Sequence, residues 1–329
     1  MKKHWSQFLR FLVALQLLPA LEGGEETLVG GQAVMEGVMM RSPHAWGIAI
    51  RKQSGEITTH SEPLQRPSEK RKWLGWPFIR GLATLGQAMR LGFVASKFSL
   101  NVGLESIAEN EGEKKLEISE WAMIASTVFS IAFFVFMYKF VPLAAATGLK
   151  KEWPILGGNI AFNLVDGAIR ILLFLAFVWG LSLFKEIKRI YHYHGAEHKT
   201  VFAFEDHGMP TIADAQKYST YHPRCGTSFL MTIMLICIFV YAAIPVQGFW
   251  MKFGLRVIFL PVIASVSYEM IRFSARHGRS LFALLTRPGL WLQRITTQSP
   301  SDDQVECAIK ALDQAMELEK QRGGELVIA

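Results

Sequence analysis

The segment His194-Gly195-Ala196-Glu197-His198 sets two imidazoles four residues apart with a carboxylate between them. On a helix of 3.6 residues per turn, positions 194, 197 and 198 project to one side. Both imidazoles can then reach one divalent ion while Glu197 faces water bound to it, an arrangement suited to metal-assisted hydrolysis with Glu197 as general base. Zinc fits such a set, since it takes imidazole ligands in tetrahedral geometry. Gly195, between the histidines, lowers the helix propensity of the motif.

Other residues compete to complete the site. Glu269, on a different helix, supplies a third protein ligand and leaves the fourth position to water, which makes the centre open and catalytic. His222 and Cys225, separated by two residues and held in a turn by Pro223, chelate instead with His194 and His198 in a closed, structural centre. Arg224 stands beside them to hold an anionic substrate group or a developing oxyanion. Plainer roles exist for each. Glu269 can pair with Arg272 or Arg276 one turn on, His222 and Cys225 can be ordinary loop residues, and Thr227 or Ser228 can simply cap a helix.

The elements that carry these residues are apolar. The chain is 50% hydrophobic and only 19% charged, and its apolar residues gather into bilayer-length runs: Trp121 to Leu149, Ile160 to Phe184, Thr227 to Met251 and the weaker Phe253 to Ile271. The last is read as a span, with a re-entrant helix as its alternative. Asp166 and Arg170 inside the second run are placed to neutralise each other. Lysines and arginines concentrate between the second and third runs and after the fourth, which places residues 185–226, the segment before Trp121 and both termini in the cytoplasm. The net charge of +7 then has a membrane explanation, attraction to anionic lipid. Nothing in the sequence resembles a zinc finger or an RNA-binding signature, so no nucleic-acid partner is expected. Cys225, Cys237 and Cys307 form no disulfide framework.

The expected fold is mainly α and polytopic. It has about four transmembrane helices, a small N-terminal cytoplasmic unit containing β-strands, and a C-terminal cytoplasmic helix. Residues 1–27 read as an interfacial helix, with a cleaved signal peptide as alternative. Residues 28–118 hold the β unit, with strands at Val34 to Met40, Ala45 to Arg51 and Glu56 to His60. An amphipathic helix follows over Trp76 to Leu104, with Ile79, Leu82, Leu85, Met89 and Phe93 as its apolar stripe; it lies on the membrane surface or on the β unit. The four-helix membrane domain covers 119–276, its cytoplasmic loop 185–226 carrying the metal site. The tail, 277–329, closes with a helix over 301–322, where Ser301 and Gln304 fit a capping box and Val305, Ala308, Ile309, Leu312 and Met316 form an apolar stripe.

Several blocks together resemble a known family: Gly30-Gly-Gln-Ala-Val-Met-Glu-Gly-Val-Met-Met-Arg41, Tyr193-His-Gly-Ala-Glu-His-Lys199, His222-Pro-Arg-Cys-Gly-Thr-Ser-Phe229, Ser267-Tyr-Glu269 and Pro288 to Thr297. Over roughly residues 28 to 318 the chain is similar to the bacterial YqhQ-like family (domain of unknown function 1385). Its members are membrane proteins described only as predicted metal-dependent enzymes. The resemblance implies a multi-pass protein of the bacterial cytoplasmic (inner) membrane with a divalent metal, Zn2+ being the first choice, and no known substrate. Its partners would be the bilayer, anionic lipid or other membrane proteins. The H-x-x-E-H order itself is similar to that of the inverzincin peptidases, a local likeness only. The expected activity is a zinc-dependent hydrolase at the cytoplasmic membrane face. Alternatives are a metal-stabilised assembly or regulatory factor, which is not an enzyme, and a small transporter.

Overall fold

In the computed structural model the described residues are 29–111, 119–222, 225–276 and 281–321. The expected leader, 1–27, lies outside them. Four strands, β1 (Gly30–Val34), β2 (Gly37–Arg41), β3 (Ala45–Arg51) and β4 (Ile57–Pro63), precede the helices. Those longer than five residues are α1 (Ile79–Glu111), α2 (Glu120–Val135), α3 (Val141–Glu152), α4 (Asn159–Leu181), α5 (Lys185–His207), α6 (Gly226–Ala243), α7 (Phe249–Ile258), α8 (Leu260–Arg276), α9 (Leu281–Thr296) and α10 (Asp302–Gln321). They divide between two units. One gathers the described parts of Met1–Glu117, Phe184–His222 and Thr296–Ala329, and the other Ile118–Leu183 and Pro223–Ile295.

The first unit is a sheet between helices. Its strands form an antiparallel meander in the order β1-β2-β3-β4. The expected strand over Val34 to Met40 is in fact two, because the chain turns at Met35-Glu36, where Glu36 takes φ +57°, and Val34 pairs with Gly37. Alternation then sorts side chains to two faces. Met39, Trp46, Ile48 and Ile50 point one way and pack on Leu91, Ala95 and Val102 of α1. Helix α1 therefore lies on the sheet, and the stripe expected from sequence is displaced: Leu82 and Met89 are exposed. Val38, Met40 and Ala49 point the other way, onto Tyr193, Ala196 and Val201 of α5 and Val305, Ala308, Leu312 and Met316 of α10. Each such large apolar side chain, fully buried, contributes about 1.5–3 kcal/mol. Gly47 admits α10 closely, since a Cβ there would sit 2.6 Å from the Ala311 carbonyl oxygen. The α10 stripe is buried as expected, Ile309 only partly, and the Ser301 amide donates to Gln304 Oε1 at 3.0 Å, one half of the expected capping box.

The second unit contains the apolar helices. Among the described residues, three stretches are long and apolar enough to cross a membrane: Trp121–Glu152, Asn159–Leu181 and Gly226–Ala243. A fourth is reached if α7 and α8, bent by 47° at Phe259, count as one span. The expected fourth run is thus broken, and Pro261 gives the reason: its ring offers no N–H to the carbonyl four residues earlier. The third run ends at Ala243, before Pro245. Phe129, Leu172 and Trp179 are exposed whereas Asp166, Arg170 and Arg256 are buried. That inside-out polarity is what lipid-facing helices require.

Candidate metal centre

Helix α5 runs through the motif without interruption, glycine included. Packing explains Gly195: a Cβ there would fall 2.0 Å from the backbone oxygen of Gln298. The segment after α9 therefore lies directly against the helix, and its amides and carbonyls hold the helix's side chains. Gln298 N–H donates to Tyr191 O at 3.0 Å.

Two backbone segments, this one and the one at Thr220, orient the two imidazoles. His194 Nδ1 lies 2.8 Å from Thr296 O, and His198 Nδ1 lies 2.5 Å from Thr220 O. A carbonyl oxygen only accepts, so each Nδ1 carries a proton, and in the neutral ring Nε2 is then the nitrogen with the lone pair. A carbonyl behind Nδ1 is also how proteins fix the tautomer of a metal-ligating histidine. The rings of His194 and His198 are 4.4 Å apart between centroids, and His222 stands 5.6 Å beyond His198. Burial pushes the His222 pKa down to about 4 against the opposing charge of Glu197, which keeps it neutral and able to ligate at pH 7.

Glu197 is buried against the sheet. Its carboxyl is raised by burial, opposed by His194 and His222 and by hydrogen bonds from the Gly31 and Ala33 amides. Strand β1 is an edge, so these amides face away from β2, and Glu197 gives them an acceptor. Gly31 is needed there, because a Cβ would lie 2.9 Å from Glu197 Cγ and 2.6 Å from Met39 O. The hairpin tip adds a second tie: Glu36 accepts a two-pronged bond from Arg189 on α5, with Arg189 Nη2 at 2.6 Å. The glycine-rich block Gly30 to Arg41 thus anchors the helix that carries the histidines.

The fold brings His194, Glu197, His198 and His222 together in the first unit. Cys225 and Glu269 belong to the second. Cys225 is the N-cap residue of α6, its sulfur 3.2 Å from the Thr227 hydroxyl. Glu269 is buried in α8, at 1% exposure. Arg224 lies outside the described residues. Reading by residue type missed the Thr220 and Thr296 carbonyls, since backbone acceptors leave no sequence signature. Gly195 was the available hint. A groove of about 710 Å³ opens on the same unit one turn before the motif, lined by Lys185, Lys188, Arg189, His192 and the 299–301 segment. Its wall is basic, and it does not include the motif's histidines.

Comparison with known proteins supplies a family but no activity. A family model described as "Protein of unknown function (DUF1385)" matches residues 76–318. The uncharacterized protein YqhQ of Bacillus subtilis (strain 168) is 32% identical over 298 residues, covering 88% of this chain and 92% of the relative. No solved structure matches the chain.

Proposed function

Because this chain belongs to the DUF1385 family of proteins of unknown function, its chemistry has to be argued from its own side chains, and we propose that it is a membrane-embedded, zinc-dependent hydrolase. One observation carries the reading: His194 and His198, one turn apart, each donate Nδ1–H to a backbone carbonyl and so offer Nε2 toward a common ligand. His222, neutral and with its ring centroid 5.6 Å from that of His198, is a further imidazole of the same unit. Imidazole ligands suit Zn2+, and two of them leave coordination positions open; the ion, when bound, would supply Lewis-acid activation of water. Glu197, with its raised carboxyl beside His194 and His222, is the group of this chain suited to hold and pass on a proton. Glu269 and Arg224 keep the roles of additional ligand and anion holder. The apolar helices support residence in the bacterial cytoplasmic membrane with both termini inside. Lys185, Lys188 and Arg189, which follow α4 within a few residues, favour anionic lipid as a partner.

A second reading rests on a specific feature. Glu197 accepts two edge-strand amides, which is a structural occupation, and Cys225 follows His222 by only three residues, about 10 Å of extended chain at most. A closed centre of three histidines and a thiolate would then tie the protein together without catalysis.

Metal analysis of the purified, detergent-solubilised protein tests both. About one zinc per chain is expected, lost when His194→Ala and His198→Ala are combined; zinc-free wild type, or unchanged content in the double variant, overturns the proposal. Glu197→Gln and Cys225→Ala then separate the readings. In a hydrolase Glu197→Gln keeps its zinc and its fold, whereas loss of both zinc and thermal stability in Cys225→Ala favours the closed centre.

A further inference from the structure

Inside the apolar second unit, positive charge is buried in excess of negative. Arg170 is the twelfth of the 23 residues of α4, midway along it. Its Nη2 meets Asp166 Oδ2 at 2.5 Å, and the other oxygen of Asp166 meets Arg256 Nη1, also at 2.5 Å. Lys139 is buried beside them, its Nζ 3.5 Å from Cys237 Sγ and 3.4 Å from the Tyr241 hydroxyl. One ring gathers all three cations: Lys139, Arg170 and Arg256 lie 5.5, 5.5 and 5.2 Å from the centroid of Tyr241. Lys252, over the Phe162 ring at 3.8 Å, adds a further positive charge one turn before Arg256. Among the described residues, Asp166 is the one carboxylate that ion-pairs in this cluster.

The local backbone is suited to such a site. The helix holding Lys139 passes through a π-helical turn, Phe136–Phe140, a distortion found frequently at functional positions. Pro142 offers no N–H to the Tyr138 carbonyl four residues before it, and that carbonyl instead accepts Arg170 Nε at 3.0 Å. Arg256 occupies the last turn of α7, just before the 47° break, and its own carbonyl accepts from the Tyr241 hydroxyl at 3.1 Å. Helices interrupted midway, with charged groups at the interruption, are how membrane proteins form ion sites.

Arg170 shows what is missing. Its Nη1 is buried without a hydrogen-bond partner, although a guanidinium surrounded by apolar side chains needs every donor satisfied. Loss of a proton from Lys139 would reduce the charge but give Nη1 no acceptor. A bound anion does both. We propose that Lys139, Arg170 and Arg256 form a binding site for a small monovalent anion, of halide size, in the middle of the membrane-spanning unit. With the Tyr241 ring facing all three cations, the surroundings suit a compact sphere and not an esterified phosphate. This site is independent of the zinc reading, because it uses none of the same residues.

Binding of radioactive chloride to the full-length protein in detergent, measured by scintillation proximity, tests it. Saturable binding is expected, competed by bromide and not by gluconate at equal ionic strength. Lys139→Gln removes one cation while leaving the Asp166 bridges in place, and should weaken binding about tenfold or more, as loss of a charge-assisted contact does. Arg170→Gln is the stronger variant, but it breaks a bridge to Asp166, so its folding is checked by gel filtration first. Non-saturable binding in the wild type, equal competition by gluconate, or unchanged affinity in Lys139→Gln overturns the proposal.

Discussion

Replacing Gly195 by alanine sets local propensity against tertiary packing, with opposite signs. In an exposed helix interior the change should stabilise by up to about 1 kcal/mol. Here the new Cβ would stand 2.0 Å from Gln298 O and 3.1 Å from Gln298 C, more than an ångström inside ordinary contact. The 296–299 segment must retreat, and three hydrogen bonds go with it: Gln298 N to Tyr191 O at 3.0 Å, His194 Nδ1 to Thr296 O at 2.8 Å and His192 Nδ1 to Ser299 O at 2.7 Å. Each is worth about 0.5–1.5 kcal/mol, and the overpacking itself costs about 1–3 kcal/mol. These terms overlap, so the net expectation after the helix gain is a loss of about 2–3 kcal/mol, a fall in Tm on the order of 5–10 °C. Thermal unfolding of the full-length protein in detergent measures it. Gly86→Ala is the control, because Gly86 lies on α1 with open space around its Cβ position; it should leave Tm unchanged or slightly raised. A Tm for Gly195→Ala at or above that of the wild type would refute the packing argument, and with it the account of how His194 is oriented.

Two other perturbations read different parts of the fold. Glu319, buried at the end of α10, accepts from Ser42 Oγ at 2.7 Å, the His44 amide at 2.8 Å and the His44 ring at 2.7 Å; burial raises its carboxyl, but these donors outweigh it and hold the group below the usual carboxylate range. A depressed folded value stabilises above the ordinary carboxyl pKa and is lost as pH falls through the folded one, so Glu319→Gln should be about 1–3 kcal/mol less stable at neutral pH and converge with the wild type on acidification. A difference that does not narrow in acid would contradict the assignment. Asp166→Asn leaves the two guanidiniums that flank it without their carboxylate, and should cost about 3–5 kcal/mol, seen as loss of monodisperse protein on gel filtration or a large fall in Tm; a variant as stable as wild type would show that the charges are balanced elsewhere.

The sequence alone determined the classes of element. Apolar runs of bilayer length need no tertiary information, because a membrane-crossing helix satisfies its own backbone, and the helical spacing of His194, Glu197 and His198 follows from a local period. The C-terminal stripe from Val305 to Met316 was legible for the same reason. Tertiary structure decided which surfaces those elements meet. Amphipathicity could not tell whether α1 lay on lipid or on the sheet, since either would bury an apolar stripe, and contacts with Trp46, Ile48 and Ile50 settle that. Gly195 reads as a helix weakness until Gln298, about a hundred residues on, is seen against it. Asp166 and Arg170 look like a neutral pair because they sit four apart, and only the return of Arg256 and Lys139 to the same ring reveals a surplus of charge. Local periods are written in neighbouring residues; the partners of a buried charge or a bare backbone are set by chain segments that meet only when the whole molecule folds.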